Sequence, residues 1–330
     1  MLNDVEKNNQ ILEIKPWHPD RPVSKGATAY HEAVMNAPYY ADNLTELINI
    51  ITPRLKENQI VVDFGAGTGV SAVHLLNRLK VKIRLWLVDN SAAWLGKAYE
   101  VMRDRSNVSC FLLEKVDGRY ATLSETIGNN VADHVISANT FHLIPNLAEV
   151  FSGINSALKP GGTFTFQSGN MIRDGRENGI LVVDDTIRRV HDIGLELIGK
   201  NDKFKDYRTS LKEKIKNEEE QRRFIFPNPR PVENYLSALK DAGFNHKDTH
   251  YKFIRISYSD WLDFLRVKRL QAGILPEVGG KEPTPQEDQD RDELITLASK
   301  QLFKELEENN PFADDRCFTT EWVYVTAVKK

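Results

Sequence analysis

The chain has 330 residues, 41% hydrophobic and 28% charged, with a net charge of −3. That length suits one large domain or a catalytic domain with substantial insertions, and the balance excludes a disordered chain. There is no global positive excess for a nucleic-acid polymer, no cysteine framework (only Cys110 and Cys317, neither in a CxxC) and no apolar run of membrane-spanning length.

The two cysteines read as reduced thiols and the polar start "MLNDVEKNNQ" has no signal-peptide core, so a cytoplasmic protein is expected. Residues 1–25 carry Pro16, Pro19 and Pro22 and read as an arm. The next stretch, "GATAYHEAVMNAPYYADNLTELINIITPRL", is aromatic at first and interrupted by Pro38. In its second part Leu44, Leu47, Ile48 and Ile51 recur at helical spacing until Pro53 stops the helix.

A regular alternation follows. Strands are expected at 59–64, 83–88, 108–113 and 132–137, with helices at 69–79, 91–103 and 145–158 between and after them. After the third strand the chain is helix or loop to about Gly128. "LKPGG" (158–162) reads as a turn that launches a fifth strand at 163–167. Nearly continuous apolar strands separated by helices argue for a parallel sheet covered on both faces. Beyond Ser168 the alternation breaks. "SLKEKIKNEEEQRR" reads as a solvated helix face, "RPVENYLSALKDAGF" as an amphipathic helix and "YKFIRISY" as a strand. "SDWLDFLRVKRL" is a helix, and "LPEVGGKEPTPQEDQDRDE" is an acidic loop. A helix near 292–308 and a final strand, "TEWVYVTAVK", close the chain.

The informative stretch is "VVDFGAGTGV" (61–70). Its glycines, Gly65, Gly67 and Gly69, are spaced GxGxG. The third glycine of a dinucleotide loop is replaced by Val70, and no Lys followed by Ser or Thr makes it a phosphate loop. Asp63 stands at the end of the entering strand. Asp89 ends the next one, at the sheet edge where open α/β folds bind ligands, and a carboxylate there can accept from both ribose hydroxyls.

The run from 60 to 167 resembles the core of the class I S-adenosylmethionine-dependent methyltransferases. "VVDFGAGTGV", "LVDNS", "VADHVISANTFHLI" and "LKPGGTFTF" carry the resemblance, in that order. It implies an α/β, Rossmann-like, doubly wound seven-stranded sheet whose last, antiparallel strand is "TEWVYVTAVK" and whose sixth is "YKFIRISY", with added helical cap insertions. It implies S-adenosyl-L-methionine as donor and S-adenosyl-L-homocysteine as product. Asp63 would help neutralise the methionyl ammonium, directly or through water. Gly65, Ala66 and Gly67 would let the backbone approach the ligand, a Cβ on the glycines clashing with it. Asp89, with Asn90 beside it, would bind the ribose; Glu114 or Asp117 would take the adenine amino group; Asn139 would lie beneath the methionyl end or the acceptor.

The organisation expected is an arm with lid helices over 1–55, the donor-binding core over 56–170 and a helical cap on the substrate side over 171–230. Residues 231–330 complete the sheet, with a helical insertion at about 259–312. His142 is the candidate base, or else a ring packed against the donor. Tyr30 and His31 stand in the lid segment, while Tyr39 and Tyr40 suit an ordinary core helix. His191 falls in the cap. His246 and His250 in "HKDTH" lack a third ligand, so no metal is expected. After the fourth strand "SANT" replaces the Asn/Asp-Pro-Pro-aromatic motif of base-amino methylation. The cap, with Phe204, Tyr207, Phe224 and Phe226, suits a small-molecule pocket, without nucleic acid or membrane as partner. Trp261 and Phe264 add a wall or a homodimer contact. The alternatives are a protein or peptide methyltransferase and a non-catalytic cofactor-binding subunit.

Overall fold

The computed structural model describes residues 14–330, so the first half of the expected arm lies outside the described residues. Seven strands form one sheet: β1 (Ile60–Phe64), β2 (Arg84–Asp89), β3 (Val108–Leu112), β4 (Ala132–Ala138), β5 (Leu158–Ser168), β6 (Phe244–Ser257) and β7 (Cys317–Lys329). Their order is β6-β7-β5-β4-β1-β2-β3. β1 to β5 pair in parallel, and β7 runs antiparallel to both its neighbours. The Rossmann-like seven-stranded expectation, with an antiparallel last strand, therefore holds.

Helices cover both faces, which is why β1 is buried at every position. On one face lie α2 (Pro38–Ile51), α3 (Val70–Arg78) and α4 (Ala92–Met102), packed around Leu75, Leu85 and Leu95. On the other, α5 (Leu123–Ile127), α6 (Leu147–Ala157) and α9 (Val232–Asp241) enclose a phenylalanine block. Phe164 and Phe166, two apart on β5, share a face, and Phe141 packs edge-on against both, at 5.3 and 5.1 Å. Phe141 also stacks on Phe64 at 5.6 Å. This fully buried ring ties the segment after β4 to the end of β1, and so positions His142, its neighbour.

A third cluster joins the chain's outer helices to β6 and β7. It contains α1 (Lys25–Met35), α7 (Val183–Lys200) and the helices of the last insertion, α10 (Tyr258–Leu265), α11 (Lys268–Ile274) and α12 (Pro285–Asn309). The cap's remaining long helix, α8 (Leu211–Ile225), carries the charged run with a single buried residue, Arg222. Arg189 of α7 grips Glu305 of α12 through two bonds of 2.7 Å.

Four local expectations are corrected. "LKPGG" is not a separate turn: β5 already begins at Leu158, paired with Ala132, and a register shift between Ala132 and His134 absorbs the extra residues. The loop thought to run to about residue 291 turns helical at Pro285, because Thr284 and Glu287 form a capping box that starts α12 early. "EKVDG" folds as a small hairpin, pairing 115–116 with 119–120. β6 begins seven residues before "YKFIRISY", and Tyr258 already belongs to α10. Among the described residues no helix is long and apolar enough to cross a membrane.

Candidate active site

The glycine loop leaves β1 at Phe64 and opens α3. Gly65, Gly67 and Gly69 all have positive φ, at 71°, 55° and 81°, a conformation that favours residues without a Cβ. The Gly65 and Ala66 amides both donate to the Val88 carbonyl, at 2.8 and 3.0 Å, which fastens the loop to β2. At Gly65 a Cβ would strike the side chain of Thr140, whose hydroxyl donates to the Gly65 carbonyl at 3.2 Å. The space constraint at Gly65 is therefore the segment after β4 rather than the ligand expected from the sequence. At Gly67 the nearest atom to a Cβ is on Trp94, at an ordinary contact distance of 3.6 Å, so there the backbone leaves room beside it and lines the cavity.

The two acids differ. Asp89 accepts from the Gly67 amide at 2.9 Å through Oδ2 and from the Ser91 amide at 2.8 Å through Oδ1. Burial raises its pKa, and these backbone amides oppose the rise. Each oxygen keeps a lone pair for a further donor. Asp63 is fully buried. One of its oxygens accepts from the Ser71 hydroxyl; the other, Oδ1, has no hydrogen-bond partner among the described residues. Burial lifts this carboxyl to about 7, with the Asp89 charge adding and the Ser71 bond subtracting. A buried acceptor without a donor is costly. Together with the room beside Gly67, it fits a ligand that carries an ammonium and a diol, as S-adenosylmethionine does.

The glycine loop and Asp89 border one cavity of about 670 Å³, with Asp63 behind the loop, within the size range of small-molecule sites. The loop, Asp89, Asn90, Trp94 and Leu113 line one half. The other half is built by distant segments: Tyr39 from α2, Asn170 and Asp184 before and within α7, Phe226 after α8, Trp261 from α10 and Trp322 from β7. His142 also lines the cavity. Its Nδ1 is 3.0 Å from the Ser168 hydroxyl, whose oxygen accepts from the Asn170 amide at 2.9 Å. Burial, assisted by the Arg230 charge, lowers the imidazole to about 4, so the ring is neutral near pH 7. Arg230 in turn donates to the backbone carbonyls of His142 and Ile144, holding this segment in place.

Of the residues singled out from the sequence, Tyr30, Gly65, Ala66, Gly67, Asp89, Asn90, Asn139 and His142 all line the cavity, and Asp63 sits just behind the loop. Tyr39 and Tyr40 are buried as a core helix requires, yet they also line it. His31 does not. Its Nδ1 contacts the Thr68 carbonyl at 3.0 Å and the Thr68 hydroxyl at 3.2 Å, so it anchors α1 to the loop from outside the cavity. Glu114 and Asp117 are also off the wall and exposed. Asp117 is at the hairpin tip, with φ of 50° next to Gly118, a turn role that explains the pair. In the cap, Phe204 is core, and His191 bonds Glu277 at 3.0 Å away from the cavity. His250 pairs with Glu46 at 3.1 Å, and His246 with Thr249 at 2.9 Å.

Trp94, Asn170, Asp184, Arg269 and Trp322 line the cavity without having been singled out. Arg269, from α11, lays its guanidinium 4.6 Å above the Trp94 ring. Only Trp94 had a local signal, five residues past the acid of β2 and one helical turn into α4.

Residues 62–164 match the family described as a methyltransferase domain. No curated protein matches the sequence. Among solved structures, a Galdieria sulphuraria protein provisionally identified as a sarcosine dimethylglycine methyltransferase gives a TM-score of 0.51 at 14% identity, over 93% of this chain and 99% of that one. Haemonchus contortus phosphoethanolamine N-methyltransferase 2, solved with S-adenosyl-L-methionine, gives 0.51 at 18% identity, over 92% of this chain and 56% of that one. The chain thus matches little more than half the length of the second protein. These two likenesses speak to the fold, while the domain match falls on the very segment that holds the loop and both acids. The chain therefore carries, over residues 62–164, a segment that matches a methyltransferase domain, set in a fold that it shares with these two structures.

Proposed function

We propose that the enzyme methylates a small-molecule acceptor held in the aromatic half of the cavity. The observation that carries this reading is the continuity of the two halves: one cavity of about 670 Å³ runs from the glycine loop to the wall formed by the cap and the last insertion. An acceptor there would meet the donor inside a largely apolar chamber, and the fold is one shared with enzymes named for small amine acceptors.

When bound, S-adenosylmethionine supplies a methyl group already activated on a sulfonium, so the protein's task is alignment and exclusion of water. In this reading Asp63 Oδ1 faces the methionyl ammonium through water, and Asp89 accepts from the ribose hydroxyls. Asn139, held with φ of 54° by its amide bond to the Gln167 carbonyl at 3.0 Å, flanks the methionyl end. The Tyr40 hydroxyl, in hydrogen-bonding range of Tyr30 and Asn139, couples the lid helices to that residue. The cap over 171–230 and the insertion at about 259–312 act as acceptor-side walls.

His142 orients the acceptor. With Nδ1–H donated to the Ser168 oxygen, Nε2 is left as an acceptor for an acceptor O–H or N–H. A ring titrating near 4 is a weak resting place for a proton, so it hydrogen-bonds the nucleophile and passes its proton onward to water. Unpaired thiols at Cys110 and Cys317 support a reducing, cytoplasmic compartment.

The test is incubation with methyl-labelled donor and a size-fractionated cell extract, followed by mass spectrometry. Label in a small-molecule fraction is the expected result. Label confined to the protein fraction overturns the proposal.

A further inference from the structure

The mouth of the cavity carries apolar side chains that the protein itself leaves uncovered. Phe224 and Leu143 both line the cavity, yet they are 79% and 47% exposed. Phe224 stands in the last turn of α8, a helix otherwise made of "LKEKIKNEEEQRR" and its flanking residues. Its neighbour Ile225 packs against Gly273 of α11, which turns Phe224 outward. Leu143 follows His142 directly in the chain and lines the same cavity. Tyr120, the third exposed apolar group on this wall, is 43% exposed, but Lys115 covers its ring at 5.4 Å. Leaving a Phe and a Leu in water at the rim of a cavity gives nothing to folding. Exposed apolar groups continuous with a cavity mark what that cavity receives.

Exposed Arg119, Asn146 and Glu149 also line the cavity, but the buried polar groups lie elsewhere. His142, Ser168 and Asn170 form a hydrogen-bonded cluster on the inner wall, while Ile225 and Phe226 continue the apolar surface toward the mouth. A molecule that puts its reacting polar head at His142 would run its remainder over Leu143 and out past Phe224. We propose that the acceptor is amphipathic: a small polar head that is methylated, joined to an apolar chain longer than the cavity, which leaves across Leu143 and Phe224. This rests on the reading that the acceptor occupies the aromatic half of the cavity, and it names the acceptor's class.

The experiment uses full-length protein saturated with S-adenosyl-L-homocysteine, whose uptake is first measured by calorimetry. The probes are the alcohols 1-hexanol, 1-octanol, 1-decanol and 1-dodecanol, each below its solubility limit. Binding is read from tryptophan fluorescence, since Trp94, Trp261 and Trp322 line the cavity. Affinity should rise about threefold or more per added methylene through the series. In Phe224→Ser and Leu143→Ser, 1-hexanol should bind as before while 1-dodecanol weakens about tenfold. Equal 1-dodecanol affinity in all three proteins, or an affinity that stops rising after 1-hexanol, overturns the inference. So does a dimer in sedimentation velocity that Phe224→Ser abolishes, since a second copy would then be what covers the rim. Failure to take up S-adenosyl-L-homocysteine would be a different result, seen before any alcohol is added, and would end the donor reading along with this one.

Discussion

The Ser71 hydroxyl donates to one oxygen of the Asp63 carboxylate, and none of the described residues bonds the other. The carboxyl titrates at about 7 instead of the ordinary 3.8. A raised value means that the fold prefers the protonated form. Its contribution to stability is full below about pH 4 and is lost as pH rises through about 7. A bound ammonium reverses that preference. Calorimetry of S-adenosyl-L-homocysteine binding should therefore show proton release near pH 6 and none near pH 8.5, read from the dependence of the heat on the buffer. Asp63→Asn should raise the melting temperature at pH 8 by about 2–4 °C while weakening the product at least tenfold. Unchanged affinity would remove Asp63 from the donor site.

Asp89 and Asp63 should separate by ligand. 5′-Methylthioadenosine has the ribose and adenine but no amino-acid arm. Asp89→Ala should weaken both it and S-adenosyl-L-homocysteine by about 10–100-fold, the scale of one or two lost hydrogen bonds to a charged group. Asp63→Asn should weaken only the second. If both variants affect both ligands alike, the assignment of acids to ligand parts is wrong.

For His142, the low value of about 4 gives the sign of its pH dependence. The neutral ring is the form the fold prefers, so its contribution is intact above about pH 6.5 and is lost as pH falls toward 4. Turnover should therefore lack an ascending limb near 6.5. His142→Ala should lower kcat by about 10–100-fold and leave the product's Kd unchanged. An activity step centred at 6.5 that vanishes in His142→Ala would mean that the ring titrates freely and acts as a conventional base.

Gly65→Ala should destabilise the protein by about 1–3 kcal/mol, from a Cβ at positive φ that also overlaps Thr140. Pairing it with Thr140→Gly should recover part of the loss, because the overlap goes and only the backbone term stays. Full additivity of the two changes, measured by urea unfolding, would show that Thr140 is not what the added methyl meets.

The sheet was legible because its strands are apolar runs of a length and spacing that few other structures explain, and because Asp63 and Asp89 end theirs at the ligand edge. The donor half followed from that pattern. Misreadings occurred where a residue's neighbours in sequence were not its neighbours in space. Asp117, one of two candidates for the adenine, stands at the hairpin tip with φ of 50° and off the cavity wall. His31 stood in the right helix but on the face that grips Thr68. Trp322 sits in a strand where every nearby residue is buried, so nothing along the chain distinguishes the one that faces the cavity. Arg269 is one arginine in a helix pair with several charges, and only folding brings it over Trp94.

The place of β7 in the sheet has a consequence for how the molecule is made. Its backbone lies between β5 and β6, and its Trp322 completes the cavity wall that Tyr39 begins. During synthesis β6 emerges some 60 residues before the strand it must pair with, so it waits unpaired while α10 to α12 are made. Contacts of such long separation are slow to form, and an unpaired strand in that interval is open to wrong partners. The glycine loop and β1 to β5 can assemble early on the ribosome; the stretch of cavity wall that Trp322 supplies is the last to form.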